Sequence, residues 1–285
     1  MFNFTIKNLL KNSTIEAELL LAQAIHKDRV FVLSHPEYQL DLAQYWRFIY
    51  YLFLFNRGYS VASITGQKEF FGLEFLVNKH VLIPRPETEL MVENVLNEIK
   101  DSSKKILLID VGTGSGCIPI SILKNSKNIS RTIALDISNQ ALKIAKKNII
   151  KILDSRFHGN DNKNLELLKS NLLTKILNLD HSSFDQIIIT ANLPYLTVAQ
   201  IKTEPSIQKE PRIALVAKEN GLALYRQLLK QISSLFSNKK LLIFLEIDPN
   251  QSEQIKQLAK HYLPQSTTEI KKDLAGLDRI LKIST

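Results

Sequence analysis

The chain predicts an α/β fold, a mostly parallel sheet with helices on both faces, joined to a smaller helical domain at its N-terminus. Three observations carry this. Beyond Ser102–Ser103, short and nearly all-apolar runs alternate with helical stretches, the pattern of buried parallel strands and their crossovers. The first of those runs leads into a turn with glycines at alternate positions, Gly112, Gly114 and Gly116. Ahead of residue 67, apolar residues recur only at helical spacing. Strand, glycine turn and helix in that order make the larger domain Rossmann-like.

From Thr14 to about Gly66, Leu19–Leu20–Ala24 and Trp46–Ile49–Tyr50–Phe53 mark helix faces, with breaks at Ser34–His35–Pro36 and Arg57–Gly58. The apolar run Phe48–Phe55, bracketed by Arg47 and Asn56, is far short of the roughly 20 residues that span a bilayer and predicts a buried helix. Phe71, Leu73, Phe75 and Val77 alternate around Gly72 until Pro84 and Pro86 stop regular structure. This predicts a hairpin-like linker over 70–90, between a helical domain at 1–69 and a main domain at 91–285. Pro86-Glu87-Thr88-Glu89 opens a helix to about Lys100, its acids suited to the positive end of the dipole. Strands are expected at 106–110, 132–136, 165–168, 186–191 and 241–247, and helices at 139–150, 222–235 and 251–262. The polar stretch 155–164 is expected to be a surface loop or insertion.

At 285 residues and 45% hydrophobic, the chain has the length of about two ordinary packed domains. One cysteine, Cys117, excludes an internal disulfide and any multi-thiolate metal site, and points to a reducing, cytoplasmic setting. The six histidines show no paired spacing, so no metal is expected. Met1–Lys11 has no continuous apolar core of the signal-peptide kind. Net charge is +9, unevenly placed: residues 1–100 hold 10 basic and 11 acidic groups, and residues 101–285 hold 27 and 17. Of those 27, only five are Arg. An Arg-poor surplus favours weak attraction to an acidic or ribosome-associated partner over direct nucleic-acid reading.

The strongest chemical signal is Asp110-Val-Gly-Thr-Gly-Ser-Gly116 at the end of the first predicted strand. Glycines let the backbone turn sharply and approach a ligand at the carboxyl end of the sheet. A dinucleotide site would place glycine at 117, where Cys117 stands. The spacing found instead resembles the first motif of S-adenosylmethionine-dependent methyltransferases. Asp136 ends the next strand, 24 residues after Gly112, where a carboxylate accepts from both ribose hydroxyls; both nucleotide classes share that feature.

Asn192-Leu193-Pro194-Tyr195 follows the fourth strand. An amide or aromatic amine is a poor nucleophile because its lone pair is delocalised, so it must be oriented by two acceptors. The Asn192 side-chain oxygen and the residue 193 carbonyl supply them, Pro194 stiffens the loop, and Tyr195 is expected to stack on the planar group. Arg85, Glu87 and Glu89 either close over the cofactor or cap a helix. Glu210, Pro211 and Arg212 shape a loop beside the substrate slot or form a salt bridge. Cys117, with no nearby histidine, reads as a packed thiol. Phe70 and Phe71 read as linker packing, and Asp273 with Arg279 as a brace for a final antiparallel strand pair.

Taken together, several islands resemble the peptide chain release factor glutamine methyltransferases, the HemK/PrmC group. They are Ile64–Gly72, Val81-Leu-Ile-Pro-Arg-Pro-Glu-Thr-Glu89, Asp110–Cys117, Asp136-Ile-Ser138, Asn192–Tyr195, Glu210–Leu215 with Gly221–Tyr225, and Lys272–Arg279. They run in the family's order from about residue 58 onward. The resemblance implies a seven-stranded methyltransferase sheet with an antiparallel last strand. It implies methyl transfer from S-adenosylmethionine, leaving S-adenosylhomocysteine, to the amide nitrogen of the glutamine in the Gly-Gly-Gln loop of translation release factors, by a monomer. It further implies that Gly112, Thr113, Gly114, Ser115, Gly116, Asp136, Asn171, Leu172 and Asn192 hold the cofactor, and that Asn192, Leu193, Pro194 and Tyr195 carry the transfer. Two positions depart from the family's pattern. Leu193 stands where proline is usual, and Asn171-Leu172 where Asp and often an aromatic are found. Asn-Leu-Pro-Tyr also resembles the motif of rRNA adenine dimethyltransferases, so adenine N6 methylation of RNA or DNA is the rival activity, and a non-catalytic partner-binding module a third reading.

Overall fold

The computed structural model describes residues 4–11, 13–153, 165–203, 207–236 and 239–285. The polar stretch expected as an insertion at 155–164 lies outside them. The chain divides into two compact units, Met1–Gln67 with Glu204–Lys209, and Lys68–Thr203 with Glu210–Thr285.

The smaller unit is helical: α1 (Ile6–Leu9), α2 (Ile15–Ile25), α3 (Arg29–Ser34), α4 (Leu42–Asn56) and α5 (Val61–Thr65). Each longer helix starts where a side-chain oxygen accepts an orphan backbone N–H: Thr14 for α2, Asp28 for α3, and a reciprocal Asp41/Gln44 box for α4. Leu20, Leu21, Ala24, Ile25, Val32 and Phe48 form its core. The apolar run in α4 was expected to be buried, and the structure corrects this. Only Phe48 is buried, whereas Trp46, Tyr50 and Phe53, spaced four and three apart, are 64%, 56% and 48% exposed. A single helix in a five-helix unit buries one stripe, and an apolar composition all round does not change that geometry.

β1 (Gln67–Phe70) and β2 (Leu73–Leu76) form a hairpin, and from Lys68 on its residues count with the larger unit. Phe70 and Phe75 meet edge to face at 6.0 Å, both buried. A 3-10 turn, Pro86–Thr88, leads into α6 (Glu89–Ile99). Among the described residues seven strands then form one sheet: β3 (Ile106–Val111), β4 (Ile129–Asp136), β5 (Leu165–Lys169), β6 (Gln186–Ala191), β7 (Leu241–Glu246), β8 (Thr267–Lys272) and β9 (Asp278–Ser284). Their order is β5-β4-β3-β6-β7-β9-β8, parallel except for β9, which runs antiparallel to β7 and β8. The winding reverses between β3 and β6, the switch point at which open α/β sheets bind ligands. Alternate residues of β3 face two cores: Leu107, Ile109 and Val111 join α9 (Ala223–Leu235) and α10 (Ser252–Tyr262), while Ile106 and Leu108 join α6 and α7 (Cys117–Asn125). As expected of them, Asp273 and Arg279 pair at 3.0 Å across the β8–β9 turn.

Two buried polar residues hold this frame near the switch point. Asn148, on α8 (Asn139–Ile152), accepts from Leu76 N–H at 2.7 Å and donates to the carbonyls of Leu76 and Ser115 at 3.0 and 2.9 Å, tying hairpin to glycine loop. Asp110, buried in the sheet, accepts from Thr190 Oγ1 at 2.7 Å on Oδ1, and the Thr113 hydroxyl lies beside the same carboxyl. Burial pushes its pKa up to about 6.

Asn148→Ala strands a buried N–H and two carbonyls, and is expected to destabilise the protein by about 2–4 kcal/mol in urea unfolding. Asp110 has a folded pKa above its unfolded one, so its ionisation opposes folding increasingly as pH rises from about 4 through about 6. Across that window the stability of wild type relative to Asp110→Asn is expected to fall by about 3 kcal/mol, then level off. A pH-independent difference between the two proteins would contradict it.

Candidate active site

The glycine turn is built by its backbone bonds. Gly112 and Thr113 both donate to the Leu135 carbonyl, at 2.8 and 2.9 Å, which folds the loop back over β4. Gly114 N–H then donates to Asp136 Oδ2 at 2.9 Å, and Ser138 N–H to Asp136 Oδ1 at 2.8 Å. The carboxylate is thereby aimed along the cavity with lone pairs to spare, and its pKa is raised by burial against these bonds. Gly112 has φ +77, the left-handed region that favours glycine, where the loop passes under the Asn192 segment and against the Leu193 side chain.

That segment leaves β6 at Ala191. Asn192 Nδ2 donates to Thr88 Oγ1 at 3.1 Å, and Thr88 Oγ1 donates to Glu246 Oε2 at 2.6 Å. Tyr195 OH donates to the other carboxylate oxygen of Glu246 at 3.1 Å. Burial raises the pKa of Glu246, opposed by the Thr88 and Tyr195 hydroxyls and by the charge of Arg279. Leu193 is buried, and its N–H donates to Tyr225 OH at 3.3 Å, which itself donates to the Glu246 carbonyl. A proline at 193 has no N–H to give, so the leucine adds a tether the family's usual residue lacks.

These walls enclose a cavity of about 390 Å³ within the larger unit, inside the roughly 300–1,000 Å³ of small-ligand sites. Gly112, Thr113, Gly114, Ser115, Asp136, Asn171, Leu172, Asn192, Leu193 and Pro194 line it, so ten of the predicted site residues converge. Two do not. Gly116 is the N-terminal cap of α7, with φ +80, and a Cβ there would meet Ile120 and Ala145; its part is to let helix pack on helix. Tyr195 is not among the lining residues: its hydroxyl bonds Glu246 and its ring packs against the sheet core. Its carbonyl is held by Gln251 Nε2 at 3.0 Å, with Gly221 packed so close that a Cβ would lie 2.0 Å from it.

The remaining candidates resolve simply. Arg85 lines the cavity and pairs with the buried Glu210, which also accepts from Ile83 N–H at 3.1 Å. Glu89 accepts from Phe71 N–H at 2.9 Å, a structural bond, and Glu87 is exposed. Cys117 is buried and its thiol is pushed up to about 12, so it is no nucleophile at neutral pH. Thr88, Glu246 and Tyr225 were not singled out. Glu246 had a signal, a carboxylate at the carboxyl end of an otherwise apolar strand.

The donor set suits S-adenosylmethionine. Asp136 offers acceptors to ribose hydroxyls, and Ile137 and Leu172 offer apolar surface to a base. Thr113, whose hydroxyl lies beside the buried Asp110 carboxyl, forms part of the same wall. Leu172 adopts φ +52, uncommon for leucine, which holds this wall in place after β5. Among the described residues no group of three or more His, Cys, Asp or Glu is arranged to hold a metal, and no helix is long and apolar enough to cross a membrane.

Comparison with known proteins agrees with this geometry. The family model described as ribosomal protein L11 methyltransferase (PrmA) matches residues 86–192, the stretch from the 3-10 turn to Asn192. The chain is similar to the release factor glutamine methyltransferase of Flavobacterium psychrophilum, 35% identical, covering 93% of this chain and 90% of that one. It is similar also to that of Clostridium botulinum, 34% identical, covering 94% and 90%. In fold it is similar to the hMettl16 catalytic domain solved in complex with the MAT2A 3'UTR hairpin 6, with a TM-score of 0.57 at 17% identity over 79% of this chain and 80% of that one. With a glycine loop, the Asp136 carboxylate and an Asn-Leu-Pro-Tyr segment meeting at one switch point, and relatives this similar over nearly their whole length, the chain belongs to the release factor glutamine methyltransferase family.

Proposed function

We propose that this protein methylates the side-chain amide nitrogen of the glutamine in the Gly-Gly-Gln loop of translation release factors. The observation that supports it most is the placement of Asn192. Asn192 lines the same cavity as the glycine loop that passes beneath it, and its NH2 end is already engaged by Thr88. The oxygen is then the end presented to a substrate N–H. S-adenosylmethionine, when bound, supplies an electrophilic methyl group on a sulfonium.

The residues present do four things for that transfer. Asp136 and the Gly112–Ser115 turn hold the donor at the ends of β3 and β4. Asn192 Oδ1 and the Leu193 carbonyl accept the two amide hydrogens of the substrate glutamine, which fixes the nitrogen in line with the methyl group. Acceptance of those hydrogens also favours the lone-pair density on nitrogen that forms the new N–C bond as the C–S bond breaks. The proton then leaves to solvent from a product amide, so no enzyme base or covalent intermediate is required. Leu193 and Pro194 give the slot an apolar, stiff wall.

The same slot admits an adenine amine in principle, but family membership favours the glutamine. The uneven, Lys-rich charge fits a protein partner, and the protein acts as a monomer in the cytoplasm, a reducing compartment that suits its lone thiol.

Incubation with methyl-labelled S-adenosylmethionine and purified release factor is expected to place label on the loop glutamine. Asn192→Ala is expected to slow this by on the order of 100- to 1,000-fold, the scale for removing one well-placed hydrogen-bonding group at a reacting centre. Label in RNA or DNA in preference to release factor, or undiminished label with Asn192→Ala, would overturn the proposal.

A further inference from the structure

We propose that Thr88 and Glu246 are positioning residues that set the polarity of the Asn192 amide, turning its oxygen rather than its NH2 group toward the cavity. This rests on the methyl-transfer reading above, since a nitrogen nucleophile bearing hydrogens is what requires an acceptor there. A side-chain amide has oxygen at one end and nitrogen at the other with nearly the same shape, so packing alone does not choose between its two orientations. The supply of donors and acceptors does.

Glu246 lies buried at the carboxyl end of β7 and does not line the cavity. As a carboxylate it has only acceptors to offer. Oε2 takes the single hydroxyl hydrogen of Thr88 at 2.6 Å, and Oε1 takes that of Tyr195 at 3.1 Å. Thr88, buried in the 3-10 turn, is then left with lone pairs only, and Asn192 Nδ2 donates into them at 3.1 Å. The relay runs in one direction, from Asn192 through Thr88 to Glu246, and leaves Oδ1 as the free end. A reversed amide would set two acceptors against each other in a buried site, or draw the Thr88 hydrogen away from Glu246. It would also point N–H groups at the N–H groups of the substrate.

The relay spans the chain. Thr88 precedes α6 and Glu246 ends β7, so one carboxylate links the entry to the sheet with its fifth strand and orients the residue just past its fourth. Glu246 thus acts on the reaction without touching it.

The test uses the full chain. Thr88→Val removes the hydroxyl and keeps the shape; Thr88→Ser restores the hydroxyl. The first readout is the nitrogen-15 NMR signal of the Asn192 side-chain NH2, recorded without substrate or cofactor and assigned by its loss in Asn192→Ala. Wild type and Thr88→Ser are expected to show it protected from solvent exchange, and Thr88→Val to shift it and speed its exchange. Glu246→Met, which removes the acceptors at similar volume, is expected to do the same; if it does not fold, Thr88→Val still decides. The second readout is methyl transfer to release factor. Thr88→Val is expected to lower kcat by on the order of 100-fold, the effect of a small misplacement at a reacting centre, with Thr88→Ser near wild type. In an Asn192→Ala background, Thr88→Val is expected to add nothing, because both changes break one coupled unit. An Asn192 signal indifferent to Thr88→Val would overturn the inference, as would a Thr88→Val effect of equal size with and without Asn192. A wild type that transfers no methyl group would overturn the proposed function instead, leaving the NMR comparison to decide the relay.

Discussion

The site depends on one pairing, that of β3 with β6. Their parallel register sets Asp110 beside Thr190 and Val111 beside Ala191, and the Thr190–Asp110 hydrogen bond locks it from within the sheet. From that register the two strands emerge together at the switch point. The next residues on one are the glycine loop and on the other Asn192. A slip of one position would exchange the faces of every apolar residue on β6 and separate loop from amide at once. The strands on either side add what this pair lacks: β4 brings Asp136, and β7 brings Glu246.

Around this pairing, several buried polar groups hold backbone. Asn148 ties the hairpin to the loop, Gln251 holds the Tyr195 carbonyl, and Glu210 holds Ile83 and Arg85. The Leu193 variation fits this pattern. Proline stiffens a loop through its ring, and here the Tyr225 hydroxyl supplies a comparable restraint through the leucine N–H.

Much of the frame was legible because its signals are local. The apolar runs at 106–110 and 186–191 are strands buried on both faces, and the alternate glycines need no partner to announce a turn. Asn192 and Asp136 were legible for the same reason, each lying at the end of a readable strand. What was hidden depends on residues far apart in the chain. Thr88 and Glu246 are separated by 158 positions, and nothing near either one announces the other. The Tyr195 hydroxyl was hidden for the same reason: it bonds a strand end that it meets only in the fold. The exposed face of α4 was misjudged on composition, since apolar content does not tell how many neighbours a helix has.

That exposed face carries an optical consequence. Trp46 is the chain's one tryptophan, and it sits on the helical unit with most of its surface in water. Indole fluorescence therefore reports on that unit alone and starts close to its solvated emission, so unfolding changes it little. The methyltransferase unit is dark at those wavelengths, and its folding is followed through its tyrosines, among them the buried Tyr225 at the hinge of the Leu193 tether.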